Sequence, residues 1–145
     1  MEQLHGDETS GIDFGRLYKE IKTIAVVGYS DNPERAGHYV PQYMAKHGYQ
    51  IIAINPRYKN EVDGFPCYPN LGAIPPGTKI DVVDIFRSPE FVPPLVDEAA
   101  ALDPAPKYFW MQPGAENEEA AGLVHGRGMI PIMNACMMAA HKIWV

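Results

Sequence analysis

Short, continuous apolar runs alternate along the chain with longer segments whose apolar positions recur at helical spacing. Thr23-Ile24-Ala25-Val26-Val27 is the clearest run, and its unbroken apolar character marks a strand covered on both faces. Tyr49–Ile54, Lys79–Phe86, Tyr108–Met111 and Met129–Met133 supply four more strands. Helical spacing appears in Phe14–Ile21, Gly37–His47 and Glu116–His125, and Gly48 stands where a helix C-terminus needs a left-handed residue. Ser88 is a natural N-cap for a helix with Pro89 at its first position and Glu90 in its first turn, running to about Leu102. Pro93 and Pro94 would be costly inside that helix, so a start near them is the alternative. Ala135–Lys142 reads as a closing helical turn, and the stretch from Asn55 to Gly77 as a long loop dense in turn residues.

The resulting order is α-β-α-β-loop-β-α-β-α-β. Short strands alternating with helices imply a parallel sheet, and right-handed crossovers then produce a doubly wound, five-stranded αβα sandwich. Residues 1–11 are polar and expected to fray, which leaves 12–145 as a single domain.

In such sheets ligands sit beyond the carboxyl ends of the strands, where strand order reverses. After the first strand comes Gly28-Tyr29-Ser30-Asp31-Asn32-Pro33-Glu34-Arg35, a glycine and a small polar loop opening into a helix. That arrangement presents N–H groups and a helix N-terminus to a phosphate. Ser30 and Asn32 can donate to phosphate oxygens, and Arg35 offers a charged fork to a pyrophosphate. A plain helix cap by Ser30 or Asn32 uses the same groups, while Asp31 and Glu34 are expected to point outward. Neither G-x-G-x-x-G nor G-x-x-x-x-G-K-[ST] is present in the loop.

After the second strand stand Asn55, Pro56 and Arg57, where an NAD-binding sheet normally places an acid for the ribose hydroxyls. A cation there suits a phosphorylated ribose, as in NADP or coenzyme A, and the missing glycines weigh against the dinucleotide. Phe86 and Arg87 follow the third strand as an aromatic wall and a cation. Gln112-Pro113-Gly114 is a tight turn after the fourth, and Cys136 brings a thiol to the same edge after the fifth. Asp81 and Asp84 fall on opposite faces of their strand and do not form a catalytic pair.

Composition narrows the possibilities. The 145 residues suffice for one domain burying about two-thirds of its unfolded surface. A net charge of −6 argues against nucleic acid as a ligand. No apolar run reaches the ~20 residues that span a bilayer, and Met1–Glu8 lacks the basic start and apolar core of a signal peptide. A cytoplasmic location is expected, with Cys67 and Cys136 as reduced thiols. No His, Cys or acidic cluster has metal-ligand spacing, and no nucleophile elbow or other catalytic constellation is visible.

Six segments taken together resemble the small single-domain CoA-binding proteins. They are G-Y-S-D-N-P-E-R at 28–35, H-G-Y-Q-I-I-A-I-N-P-R at 47–57, C-Y-P-N-L at 67–71, V-V-D-I-F-R at 82–87, W-M-Q-P-G at 110–114 and N-A-C-M-M at 134–138. The resemblance implies a Rossmann-like fold related to the CoA-binding domain of succinyl-CoA synthetase, with CoA or acyl-CoA across the strand ends. It implies that Gly28, Ser30, Asn32, Pro33 and Arg35 hold the pyrophosphate and adenosine side. Asn55, Pro56 and Arg57 would frame the nucleotide, and Phe86 and Arg87 would continue the wall. Gln112, Gly114 and Cys136 would approach the pantetheine arm. This chain departs from the family's pattern at Ala135 and Ala140, where an Arg and a Glu are common, and at Tyr29, where small residues are common. Tyr29 would either stack on the adenine or narrow the pocket.

The expected function is therefore a non-catalytic CoA-binding carrier, sensor or partner subunit, with a protein partner or a homodimer left open. The alternatives are an NADP-binding redox regulator and an accessory subunit of an acyl-CoA synthetase-type enzyme.

Overall fold

A computed structural model describes residues 11–145; the segment expected to fray, residues 1–11, lies outside the described residues except for Gly11. The strands and helices run α1 (Phe14–Glu20), β1 (Thr23–Val27), α2 (Ala36–Lys46), β2 (Gln50–Ile54), β3 (Glu61–Val62), β4 (Phe65–Tyr68) and β5 (Val82–Ile85). They continue with α3 (Pro93–Ala100), β6 (Tyr108–Met111), α4 (Glu118–Gly126), β7 (Ile130–Ile132) and α5 (Met137–Trp144).

Among the described residues the sheet holds seven strands in the order β3-β4-β2-β1-β5-β6-β7, so the expectation of five is corrected. The five expected strands form a continuous parallel run from β2 to the edge strand β7, with β4 parallel to β2 and β3 antiparallel to β4. The extra pair is a hairpin within the long loop. Asp63 and Gly64 form its turn with φ of 53° and 84°, as a two-residue hairpin turn requires.

Side-chain alternation divides the core into two layers. Ile24, Val26, Val82 and Trp110 face α1, α2 and α5, whereas Ala25, Val27, Val83 and Phe109 face α3 and α4. This is the three-layer αβα sandwich that the order of elements predicts. The outermost strand on one side, β7, carries Pro131 at its centre, and Ile130 N–H donates inward to the Lys107 carbonyl at 2.8 Å.

The proline pair decides the third helix. Pro89–Phe91 is only a 3₁₀ turn, and Ser88 makes no side-chain cap bond to it. The α-helix begins at Pro93, which is tolerated there because the first amides of a helix have no intrahelical partner.

Strand order reverses between β1 and β5, which lie side by side and continue to different flanks. The C-terminal ends of these two strands place Gly28 against Phe86.

Candidate functional site

Gly28 leaves β1 with φ of +87°, and a Cβ there would lie 2.3 Å from the Phe86 carbonyl oxygen. Two backbones therefore approach as only glycine permits. Gly28 N–H donates to the Ile54 carbonyl, and Phe86 N–H to that of Val27, which ties the three strand ends together.

Two adjoining clefts open over this junction. One, of about 380 Å³, runs from Arg35 and Gly37 past Phe86 and Arg87 to Pro113–Ala115. The other, of about 540 Å³, extends toward β2 and is walled by Asn55, Arg57, Tyr58, Asn70, Leu95 and Glu98. Gly28, Ser30, Arg35, Phe86 and Arg87 line both.

The loop after β1 is fixed by its own polar atoms. Ser30 Oγ accepts from Asn32 N–H at 3.1 Å, and Asn32 Oδ1 accepts from Glu34 N–H at 3.0 Å. Neither residue caps α2. Its N-cap is Arg35, without a side-chain cap bond, so no side chain spans the first-turn amides of Ala36 and Gly37 beside the cleft. Asn32 and Pro33 are exposed in the loop and belong to neither cleft wall.

A second feature holds this loop against the helix. Gly37 sits so close to Gly28 that a Cβ on it would lie 2.8 Å from the Gly28 carbonyl oxygen. The close helix–strand approach that a fingerprint glycine usually provides is here supplied by Gly37, nine residues beyond Gly28.

The electrostatics of the clefts are set by three guanidinium groups. Among the described residues none of Arg35, Arg57 and Arg87 is in an ion pair. Arg87 lies over the Phe91 ring at 4.7 Å and Arg57 beside Tyr58 at 5.9 Å. Glu98 is a carboxylate in the wall of the second cleft, and Asp31 is held against Tyr58 of the same wall. Asp31 does not simply point outward: Tyr58 Oη donates to its Oδ1 and accepts from its N–H, both at 3.0 Å. That pair joins the loop after β1 to the loop after β2.

Asn55 has a bridging role. Its Nδ2 donates to the Tyr29 carbonyl at 2.8 Å, and its Oδ1 accepts from Arg57 N–H at 2.9 Å. Tyr29 lies in the cleft wall, yet its ring is fully buried and neither stacks across the opening nor narrows it. Its Oη donates to Asp63 Oδ2 at 2.7 Å and accepts from Gln42 Nε2 at 2.9 Å. Burial first, and then the bond to Asp63, raises the phenol above its ordinary range. The hairpin turn thereby reaches back to the loop after β1.

Gln112 and Cys136 are placed differently from the expectation. Gln112 is buried outside both clefts, where Nε2 donates to Asp84 Oδ1 at 2.7 Å and Oε1 accepts from Met137 N–H at 3.3 Å. Asp84 is buried with Oδ2 unpartnered. Burial pushes its carboxyl up to about 8, while the bond from Gln112 pulls the other way. Cys136 is half-buried against the α1–α2–α5 layer and lines neither cleft. Gly114 does line the first cleft, its N–H donating to Glu116 Oε1 at 2.8 Å.

These features form an elongated, anion-seeking groove at the reversal point of a parallel sheet. Residues 22–142 match the family model described as a CoA binding domain. The chain belongs to the CoA-binding domain family. It is 37% identical to the uncharacterized protein YneT of Bacillus subtilis (strain 168) over 134 residues, covering 92% of this chain and 96% of that protein. A hypothetical protein from Pyrococcus horikoshii OT3 superposes with a TM-score of 0.85 at 34% identity, covering 99% of each chain. The dinucleotide-forming acetyl-coenzyme A synthetase 1 of Ca. Korarchaeum cryptofilum superposes with a TM-score of 0.65 at 25% identity; 82% of this chain is covered and 28% of the synthetase.

Within this CoA-binding domain, several wall residues gave no sequence signal. Leu95 and Glu98 reach the groove from α3, a helix rather than a strand end. Tyr58 directly follows the Asn-Pro-Arg segment and was within reach of the same reading. No helix among the described residues is long and apolar enough to cross a membrane.

Proposed function

We propose that the protein holds coenzyme A or an acyl-CoA non-catalytically along this groove, as a carrier, sensor or partner subunit. The observation that carries the reading is the convergence of Arg35, Arg57 and Arg87, outside any ion pair among the described residues, on walls that meet at Gly28. The Gly28–Gly37 contact draws the start of α2 against the end of β1, which brings its first-turn residues Ala36 and Gly37 to the cleft, so the residues present fit a phosphate ester.

In this reading Ser30, Arg35 and the first-turn amides of α2 take the pyrophosphate. Arg57 takes the 3′-phosphate of the ribose, with Asn55 and Pro56 framing the nucleotide. Phe86 and Arg87 form the continuing wall, and Gly114 marks the direction of the pantetheine arm. Asn32 and Pro33 act by shaping the loop. Gln112 directly precedes Pro113 of the cleft wall and accepts from the N–H of Met137, the residue after Cys136, so in this reading both support the pantetheine end from behind the wall.

The non-catalytic part of the proposal is supported by how the nearby titratable groups are used. Asp31 is engaged by Tyr58, and His38 Nδ1 lies 2.9 Å from the Ser30 carbonyl. Asp84 is sealed beneath the sheet edge by Gln112. Each holds structure.

Calorimetry with CoA, dephospho-CoA and NADP in parallel tests the reading. CoA is expected to bind more tightly than dephospho-CoA, and both more tightly than NADP. Binding of NADP with no response to CoA would overturn it.

A further inference from the structure

Helix α2 carries a proline, Pro41, well inside its span. A proline there has no N–H for the carbonyl four residues back, and its ring crowds that carbonyl. The carbonyl concerned is that of Gly37, the residue packed against Gly28. It is not left empty: Ser30 N–H donates to it at 3.2 Å. A helix defect and the anion-binding loop thus meet in one hydrogen bond.

The same serine is gripped from its other side. His38 Nδ1 lies 2.9 Å from the Ser30 carbonyl, and since a carbonyl only accepts, that nitrogen carries the proton. Ser30 is therefore fixed to consecutive residues of α2 through both its backbone polar groups, and to Asn32 through its hydroxyl.

We infer that Pro41 is a positioning residue for the CoA groove: by withholding a helical donor it reserves the Gly37 carbonyl for Ser30 and so sets the loop that receives the pyrophosphate. This rests on the function proposed above. Pro41 is buried in the α2 layer and lines neither cleft, so its effect passes through Gly37 and Ser30.

A proline in this role has an unusual mutational signature. Replacing a mid-helix proline with alanine removes a helix-breaking residue, so the helix itself gains. The restored amide then competes with Ser30 for one acceptor, and binding loses. The experiment compares the wild type with Pro41→Ala, and with Pro41→Val, which refills more of the ring's volume. It measures the amide hydrogen exchange of Ser30, the thermal midpoint, and CoA affinity.

Expected are faster exchange at Ser30, an unchanged or higher midpoint, and CoA affinity lowered about five- to tenfold, the worth of one hydrogen bond. A merely structural proline would lower midpoint and affinity together. Unchanged exchange at Ser30 in both variants would overturn the link between Pro41 and the loop. Faster exchange with unchanged CoA affinity would overturn the positioning role. If the wild type itself binds no CoA, the proposed function falls and takes the positioning role with it, while Ser30 exchange still decides whether Pro41 holds the loop.

Discussion

The backbone carbonyl of Phe86 occupies the space that a side chain at residue 28 would need, 2.3 Å from an added Cβ. Two strand ends therefore meet as bare backbone at the floor of both clefts. Gly28→Ala must displace that carbonyl and hold a side chain at φ of +87°. Left-handed strain together with overpacking is expected to destabilise the fold by roughly 2–4 kcal/mol. Denaturant unfolding checks this, and a variant as stable as the wild type would show that β1 and β5 are not held so closely.

Arg57 is exposed and, among the described residues, free of ion pairs, so its removal should leave the fold intact. In Arg57→Gln the affinity for CoA should fall roughly ten- to hundredfold, the range for a hydrogen bond to a charged group. Dephospho-CoA affinity should stay constant. Equal losses for the two ligands would place the 3′-phosphate elsewhere.

Asp84 makes stability depend on pH. Its carboxyl is raised from 3.8 to about 8 by burial, so the folded protein keeps a proton that the unfolded chain releases. The associated stability is complete below about pH 4 and is lost as pH rises toward about 8, at up to about 1.4 kcal/mol per pH unit. Asp84→Asn removes this titration, so its stability relative to the wild type should improve from pH 5 to about pH 8 and level off by pH 9. Denaturation at pH 5, 7 and 9 measures the difference, and a gap independent of pH would contradict the assignment.

Tyr29 links the hairpin to the loop after β1 through Asp63. Tyr29→Phe keeps the buried ring and deletes one hydroxyl, at an expected cost of about 1–2 kcal/mol. Hydrogen exchange should rise in residues 61–68 first, because the Tyr29–Asp63 bond fastens that hairpin to the loop. Exchange unchanged there would mean the bond contributes little.

The parallel run from β2 to β7 was legible because its strands are buried at nearly every residue and are largely apolar, β5 carrying the one acid, Asp84. The hairpin was not, although Asp63-Gly64 is a recognised turn signal. Glu61–Val62 is too short to show alternation, and Pro66 inside β4 reads as a breaker. Pro66 is accommodated because β4 pairs with β2 only through Cys67 and Tyr68. The groove was legible wherever its residues directly follow a strand: Gly28, Ser30, Arg35, Asn55, Arg57, Phe86 and Arg87 all line it. Gln112 also follows a strand, yet it turns inward to Asp84, because a buried carboxyl needs a donor more than the cleft needs another wall. Glu98 was invisible, since helical spacing marks the face of α3 toward the core and says nothing about which flank borders a cleft.

Pro131 has a consequence beyond the fold. The neighbouring Ile130 sends its N–H inward to Lys107, so the backbone nitrogen of residue 131 faces outward, and proline gives it no hydrogen to offer. The outer rim of β7 is thus a poor template for an incoming strand. On this side the sheet is capped against growth, so a second copy of the chain gains little by adding a strand along β7.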